Sequence, residues 1–190
     1  MKVLFLPRYP VEGASSRYRV YQYLPFLKEA GVDFDVDPFM PERFYRLMMQ
    51  PGNGLAKGIE TIKASLRRIA VARRAKEYDL VYLQRECLPF GPPWLERSIK
   101  AAGVKTIFDY DDALFIFKGS THNKLADRFK RPEKYREIFR LVDCVLAGND
   151  WLRDQAAEHC PDARTFEVAE NLEHYTQRPP QTAQDDVTIG

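Results

Sequence analysis

Short apolar runs alternate with longer amphipathic segments along the chain, and this alternation predicts strands separated by helices. The predicted strands cover residues 2–6, 32–36, 80–83, 104–108, 144–147 and 165–168. Helices are predicted over about 15–30, within 39–49, over about 54–78, 93–103 and 124–141, and from about 150 onward. Strands and helices repeated in this order imply an α/β fold, a Rossmann-like parallel sheet with helices on both faces.

Local signals place several boundaries of these elements. Ser15 and Ser16 carry hydroxyl groups that can cap the first helix, and Gly31 stops it. Pro25 falls inside this helix, so we expect a kink or a short first segment there. The run 51–54 contains one proline and two glycines and breaks the chain before the long amphipathic helix.

Composition narrows the possible function classes. A chain of 190 residues, 45% of them hydrophobic, can bury one globular core, and its net charge of +2 gives no reason to expect nucleic acid as a partner. Cys87, Cys144 and Cys160 lack the spacing of a disulfide framework or a zinc site, so reduced thiols are expected. No run approaches the ~20 apolar residues of a membrane-spanning helix. A cytoplasmic protein is therefore the default.

Three carboxylates, Asp109, Asp111 and Asp112, directly follow the apolar run 104–108. In a parallel sheet ligands lie at the carboxyl ends of the strands, so this cluster indicates a site. The ends of the other strands would bring to the same edge Arg8, Arg85, Glu86, Asn149 and Asp150. Two chemistries fit the cluster: the metal and nucleophile pair of an aspartate-dependent phosphatase, or a strand-end acid that faces the reacting sugar of a glycosyltransferase.

The phosphatase interpretation depends on the segment Phe108-Asp-Tyr-Asp-Asp-Ala-Leu114, which resembles the first motif of haloacid dehalogenase-type phosphatases. In that family the first Asp attacks phosphorus, the second is an acid/base, and both help to hold magnesium. Residues 148–154 are similar to the late acidic motif of the family. Ala113 stands where a Thr is expected, however, and the motif lies on a mid-chain strand, so this interpretation is the alternative.

The resemblance that covers most of the chain is to the amino-terminal domain of family 4 glycosyltransferases of GT-B architecture. The segments that carry it are Gly13-Ala-Ser-Ser-Arg-Tyr-Arg-Val20, Tyr23-Leu-Pro-Phe-Leu27, Tyr78-Asp-Leu-Val81, 108–114, Asp143-Cys-Val-Leu-Ala-Gly-Asn149 and 168–175. It implies an acceptor-binding domain of an enzyme that moves a sugar from a nucleotide-sugar donor to a saccharide or lipid-linked acceptor, with retention. Neither a metal nor a cofactor is expected, because the nucleotide sugar is the co-substrate.

The resemblance also implies roles for individual residues. Asp109 stands where many members carry a His that touches the donor sugar, and its carboxylate would act catalytically by offsetting positive charge on the ring. The residues assigned to binding the acceptor or a phosphate are Gly13, Ser15, Ser16, Arg17, Arg19, Asp111 and Asp112. Other roles stay open, since Asp109 can cap a turn and the two arginines can pair with Glu12 and Glu29.

Residues 57–76 are strongly basic, with Glu60 as the single acid. Their apolar stripe, at helical spacing, consists of Ile59, Ile62, Leu66 and Ile69. A basic amphipathic helix can lie on an anionic membrane. The residues assigned to such a surface are Lys63, Arg67, Arg68, Arg73 and Arg74. In the alternative, the stripe packs on the sheet and the cations face water.

The last residues predict a domain boundary. Pro179-Pro180 and the polar run after them are typical of a linker, and 187–190 looks like the first strand of a new unit. We expect an acceptor-side domain over 1–178, with 179–190 leading into a nucleotide-sugar-binding domain, so that this piece alone is inactive.

The expected partners are the acceptor, the donor held by that further domain, and an anionic membrane surface, with no nucleic acid. The expected location is cytoplasmic and peripheral at the inner membrane face. The non-enzymatic alternative is a membrane-docking or receiver-type signalling domain. Receivers, however, carry acids at the end of the first strand, which here ends in Pro7-Arg8.

Overall fold

The computed structural model describes residues 1–116 and 133–170. In this part of the chain the strands are β1 (Lys2–Leu6), β2 (Asp33–Val36), β3 (Leu80–Gln84), β4 (Lys105–Tyr110), β5 (Cys144–Ala147) and β6 (Ala163–Thr165). The helices are α1 (Ala14–Arg19), α2 (Leu24–Glu29), α3 (Glu42–Met49), α4 (Gly54–Ala72), α5 (Trp94–Ala101), α6 (Glu133–Leu141) and α7 (Asp150–Ala157). The predicted α/β fold with a Rossmann-like parallel sheet is confirmed.

The described strands form one parallel sheet in the order β2-β1-β3-β4-β5-β6. From β1 the chain first adds β2 on one side and then crosses to the other side, where β3 and all later strands follow. The direction of winding therefore reverses between β1 and β3, which makes this pair the topological switch point of the sheet. The residues that follow β1, β3 and β4 meet at one edge, called the carboxyl edge below.

Alternating strand residues point to opposite faces of the sheet, and each face has its own apolar cluster. The larger cluster joins strand residues such as Leu4, Val81 and Phe108 to side chains from α3 to α7. The smaller cluster contains Val3, Phe5 and Tyr82 under Val20 and the apolar side of α2. Both clusters pack against the strands that lead to the carboxyl edge.

The break predicted in the first helix is present. α1 ends at Arg19, a 3₁₀ turn covers Tyr21–Tyr23, and α2 begins at Leu24. Pro25 lies in the first turn of α2, where its missing N–H would have no intrahelical partner in any case.

The long helix α4 turns three of the four stripe residues outward and packs only Ile69 against the core, so the alternative in which the whole stripe packs on the sheet is wrong. Ile59, Ile62 and Leu66 are 45%, 62% and 62% exposed. The side chains that α4 buries are Ala64, Arg68 and Ala72. Arg68 is 1% exposed, so its assignment to a membrane surface is also wrong. The fully buried positions of α4 are thus occupied by small residues and one internally paired arginine, while Ile69 and Val71 pack against the core only in part.

Two predictions lie outside the described residues: the helix start near Lys124, and the linker with the strand after it in 179–190. Within 1–116 and 133–170, no helix combines the length and the apolar character needed to cross a membrane.

Candidate functional site

Polar side chains from three strand ends meet at the carboxyl edge, and Gln84 links them. Its amide oxygen accepts hydrogen bonds from the Ser16 hydroxyl at 2.6 Å and from the Arg8 backbone N–H at 3.0 Å. Its amide nitrogen donates to the Ser15 hydroxyl at 2.8 Å, which in turn donates to Asp111 at 2.5 Å. Three of the predicted binding residues, Ser15, Ser16 and Asp111, are therefore brought together.

Gly13 makes this assembly possible by close packing. A Cβ atom added at Gly13 would lie 2.3 Å from the Cβ of Tyr9, so no larger residue fits without movement. The backbone N–H of Tyr9 donates to Ser16 at 3.0 Å, which fixes the loop after β1 against α1. Gly13 thus has a structural role here.

Arg8 and Arg85 carry positive charge to the switch point from β1 and β3. Arg85 follows β3 with φ of 66°, a left-handed conformation that is costly for a residue with a side chain. Its Nη1 lies 3.6 Å from a carboxylate oxygen of Asp112, and the Nη1 of Arg8 lies 3.8 Å from one of Glu86. Both distances exceed those of hydrogen bonds, so the ion pairs leave donor capacity unused.

Glu86 lies between these cations and is itself held in place. The hydroxyl of Tyr135 donates to it at 2.9 Å. Burial raises the pKa of Glu86, but Arg8, Lys134 and Arg85 outweigh this effect and leave the pKa below its usual value. The carboxylate therefore stays ionised and anchors the positive charge of the switch point.

Three buried polar atoms at the carboxyl edge have no hydrogen-bond partner among the described residues. They are Nη1 of Arg8, Nε of Arg85 and Oδ1 of Asp111. A buried donor or acceptor left unpaired costs about 1–3 kcal/mol. Two unpaired donors and one unpaired acceptor could be satisfied by a ligand with an oxyanion and a hydrogen-bond donor.

Asp109 lies at the end of β4 but faces no cleft, contrary to its predicted catalytic role. It is 0% exposed, and the Nε of Arg19 donates to its two oxygens at 3.1 and 3.0 Å, with a further bond from Nη2. Burial raises the pKa of Asp109 to about 6, although Arg19 opposes the shift. The pair is closed internally, because Arg19 also donates to the carbonyl of Phe166.

Other residues that the sequence assigned to the site, or placed at the same edge, do not join the network around Gln84. Arg17 donates at 3.4 Å to the carbonyl oxygens of Val11 and Glu12 and lies over the ring of Tyr18, so its described contacts do not include Gln84. Asp112 is exposed at the rim, near Arg85. Asn149 caps α7 by accepting from the Leu152 N–H at 2.9 Å.

Of the residues assigned to a membrane surface, Arg67 pairs with Asp37 at 3.0 Å and Arg68 with the same carboxylate at 3.4 Å. Lys63 and Arg74 form exposed pairs with Glu60 and Glu77. Arg73 is exposed.

Sequence reasoning placed Arg8, Arg85 and Glu86 at this edge but assigned them no role, and it missed Gln84. The available signal was a polar residue, Gln84, at the end of the apolar strand 80–83. In a strand that is buried on both faces, a polar side chain is costly unless it has hydrogen-bond partners, so Gln84 indicates a polar network at this position.

Comparisons with known proteins give distant likenesses to solved structures, two of which are described here. No family model matches the chain, and no curated protein matches it. An azoreductase from Bacillus anthracis str. Sterne is 16% identical, with a TM-score of 0.36, over 83% of this chain and 92% of that one. A protein described as a quinone reductase from Klebsiella pneumoniae is 12% identical, with a TM-score of 0.34, over 83% of this chain and 81% of that one.

These comparisons contradict the assignment to family 4 glycosyltransferases. Both similar structures are named as reductases and neither as a glycosyltransferase, so the predicted activity, the nucleotide-sugar donor and the saccharide or lipid-linked acceptor are not upheld. The phosphatase and receiver alternatives gain no support either. The expectation of no cofactor is contradicted together with the assignment on which it rested. At these TM-scores the likeness carries no argument about the activity of this chain.

Proposed function

We propose that this domain binds a small molecule bearing a phosphate or carboxylate group at the switch point between β1 and β3. The observation that carries the proposal is the pair of guanidinium groups, Arg8 and Arg85, that keep buried nitrogen atoms without hydrogen-bond partners. Guanidinium groups suit planar recognition of oxyanions, and an oxyanion would give such a buried donor the acceptor that it lacks.

The topology supports the same location. In open parallel sheets ligands bind outside the carboxyl ends of the strands where the winding direction reverses. Sheets with the order 2-1-3-4-5, which this sheet shares, hold a flavin phosphate at that point in flavodoxin. A phosphate-bearing cofactor therefore belongs to the proposed ligand class.

The strain at Arg85 supports a functional role for its side chain. Backbone conformations of this kind cost about 1–3 kcal/mol and persist where the surroundings hold them, often at binding sites. Asn adopts the left-handed region more readily than Arg. Arg85→Asn therefore removes the cation without adding backbone strain.

Isothermal titration calorimetry with pyrophosphate and with flavin mononucleotide tests the proposal. We expect saturable binding of at least one of these probes by the full chain, and its loss in Arg85→Asn and Arg8→Gln. Arg164→Gln is the matched control, because Arg164 is an exposed residue on β6 that pairs with Asp162. Equal binding by all four proteins, with circular dichroism showing that each is folded, would sink the proposal.

For location, we propose a peripheral position at a membrane face. It is supported by the outward apolar row of α4, since exposed apolar side chains beside cations are typical of interfacial helices. Sedimentation of the protein with lipid vesicles is the test, and a protein that stays in the supernatant with every lipid composition would contradict it.

A further inference from the structure

Four apolar side chains form an outward row along α4, a feature that neither the sheet nor the carboxyl edge explains. Leu55, Ile59, Ile62 and Leu66 follow one another at steps of four, three and four residues, which places them on one side of the helix. Their exposed fractions lie between 45% and 83%. Met49, at the end of α3, adds another exposed apolar side chain near the start of α4. A contiguous exposed row of this kind marks an interaction surface.

The segment that contains the row is much more positively charged than the rest of the chain. Residues 42–74, which contain α3 and α4, carry eight Lys or Arg and two Glu, whereas the whole chain has a net charge of +2. The remainder of the chain is therefore net acidic, and the positive charge is concentrated on the two helices that carry the exposed apolar side chains. Such asymmetry predicts an anionic partner for this side of the molecule.

Two of these cations are not available to a partner. Arg68 is buried, where its Nη2 donates to the carbonyl of Asp37 at 2.8 Å, and Arg67 shares the Asp37 side chain. They attach α4 to the loop after β2. The accessible cations include Arg46, 71% exposed, and Lys63, 66% exposed. The helix is thus fixed by its inner arginines and presents the outer ones.

The apolar row and the cations beside it, Arg43, Arg46, Lys57 and Lys63, are called the α3–α4 surface. We infer that this surface docks on a bilayer of anionic lipids, with the apolar row in the headgroup and upper acyl region and the cations in contact with lipid phosphates. The inference rests on the proposed peripheral location. Charge complementarity decides between this occupant and a second copy of the chain. Two copies joined through this surface would bring like charges together, which is destabilising. The row also covers fewer than three heptads, too few for a sustained coiled coil.

The experiment is flotation of the full chain with two kinds of vesicle, phosphatidylcholine alone and phosphatidylcholine mixed with phosphatidylglycerol. We expect binding to the mixed vesicles that weakens with added salt, because salt screens the contacts to lipid headgroups. Arg43→Gln and Arg46→Gln should each lower partitioning about fivefold on the mixed vesicles alone. Lys105→Gln and Arg164→Gln, exposed cations on the sheet, are the matched controls and should have little effect.

Apolar variants separate insertion from simple charge attraction. Ile62→Ser combined with Leu66→Ser should lower partitioning by about tenfold or more, whereas Phe26→Ser, an equally exposed residue on α2, should not. Equal binding to neutral and anionic vesicles would overturn the anionic selectivity and leave the peripheral location intact. No binding to either vesicle would overturn both. A concentration-dependent dimer that Ile62→Ser and Leu66→Ser abolish would show that a second copy occupies the surface, and would overturn the inference as well.

Discussion

Asp109 and Arg19 show how burial controls charge at the residue scale in this fold. Their side chains are 0% and 1% exposed, and 90 residues separate them in sequence. The pair links the end of β4 to α1 and, through Arg19, to the chain after β6. Its effect is structural, since neither side chain reaches solvent.

Titration of Asp109 should make stability depend on pH. Burial raises its pKa from 3.8 to about 6, so the unfolded chain releases this proton at lower pH than the folded protein. Between these values the folded state binds more protons. The favourable contribution is complete below about pH 4 and is lost as the pH rises through about 6, a change of up to about 3 kcal/mol.

Urea unfolding across this pH range, for the native chain and Asp109→Asn, measures the effect. The free energy of unfolding of the native chain should fall with pH relative to that of the variant. If the difference between the two proteins stayed constant from about pH 4 to about pH 7, the raised pKa would be refuted.

Gly13→Ala tests the close packing beneath the site. The new methyl group would meet Tyr9 at 2.3 Å, so we expect a loss of about 1–3 kcal/mol in the free energy of unfolding. Gly58→Ala is the control in α4, where nothing lies within 4 Å of the added atom. There the change should stabilise the protein by about 1 kcal/mol, because Ala favours the helix. Denaturation midpoints that moved in the same direction for both variants would contradict this account.

At the scale of elements, α4 shows why helical periodicity alone did not give the orientation of a helix. Its large aliphatic residues form a regular stripe, and such a stripe normally faces the core. Here the core side is formed by Ala64, Ala72 and the paired Arg68. Asp37, distant in sequence, makes burial of the arginine possible.

Arg68→Met should therefore destabilise the protein although the substituted residue is apolar. Arg68 donates to the carbonyl oxygens of Pro7 and Asp37, and loss of one partner of a buried ion pair costs about 3 kcal/mol or more. Arg73→Gln, on the exposed end of the same helix, should leave stability nearly unchanged. Chemical denaturation compares the two variants, and equal midpoints would mean that Arg68 does not attach α4 to the sheet.

At the scale of the whole molecule, the strand and helix pattern was predictable because it depends on local periodicity. β1, β5 and the break before α2 lie where the sequence places them. The direction of the strands followed from their alternation with helices. These features need no knowledge of distant contacts.

The site was less predictable because it depends on pairs far apart in the chain. The carboxylate cluster was expected to act together, yet Asp109 pairs with Arg19, Asp111 with Ser15, and Asp112 lies near Arg85. Nothing in the sequence specifies these partners. The sequence placed Arg8 and Arg85 at this edge without a role, and their binding role was proposed only from their unpaired nitrogen atoms in the folded structure.

The central claim is that an oxyanion binds between Arg8 and Arg85, and the side-chain resonances of the arginines test it most directly. In ¹⁵N–¹H spectra recorded while pyrophosphate is added, the Nε–H signal of Arg85 should shift and saturate, because this buried donor gains an acceptor. The Nε–H signal of Arg19, already bonded to Asp109, should stay in place. An Arg85 signal that does not move at concentrations that shift exposed arginines would contradict the account.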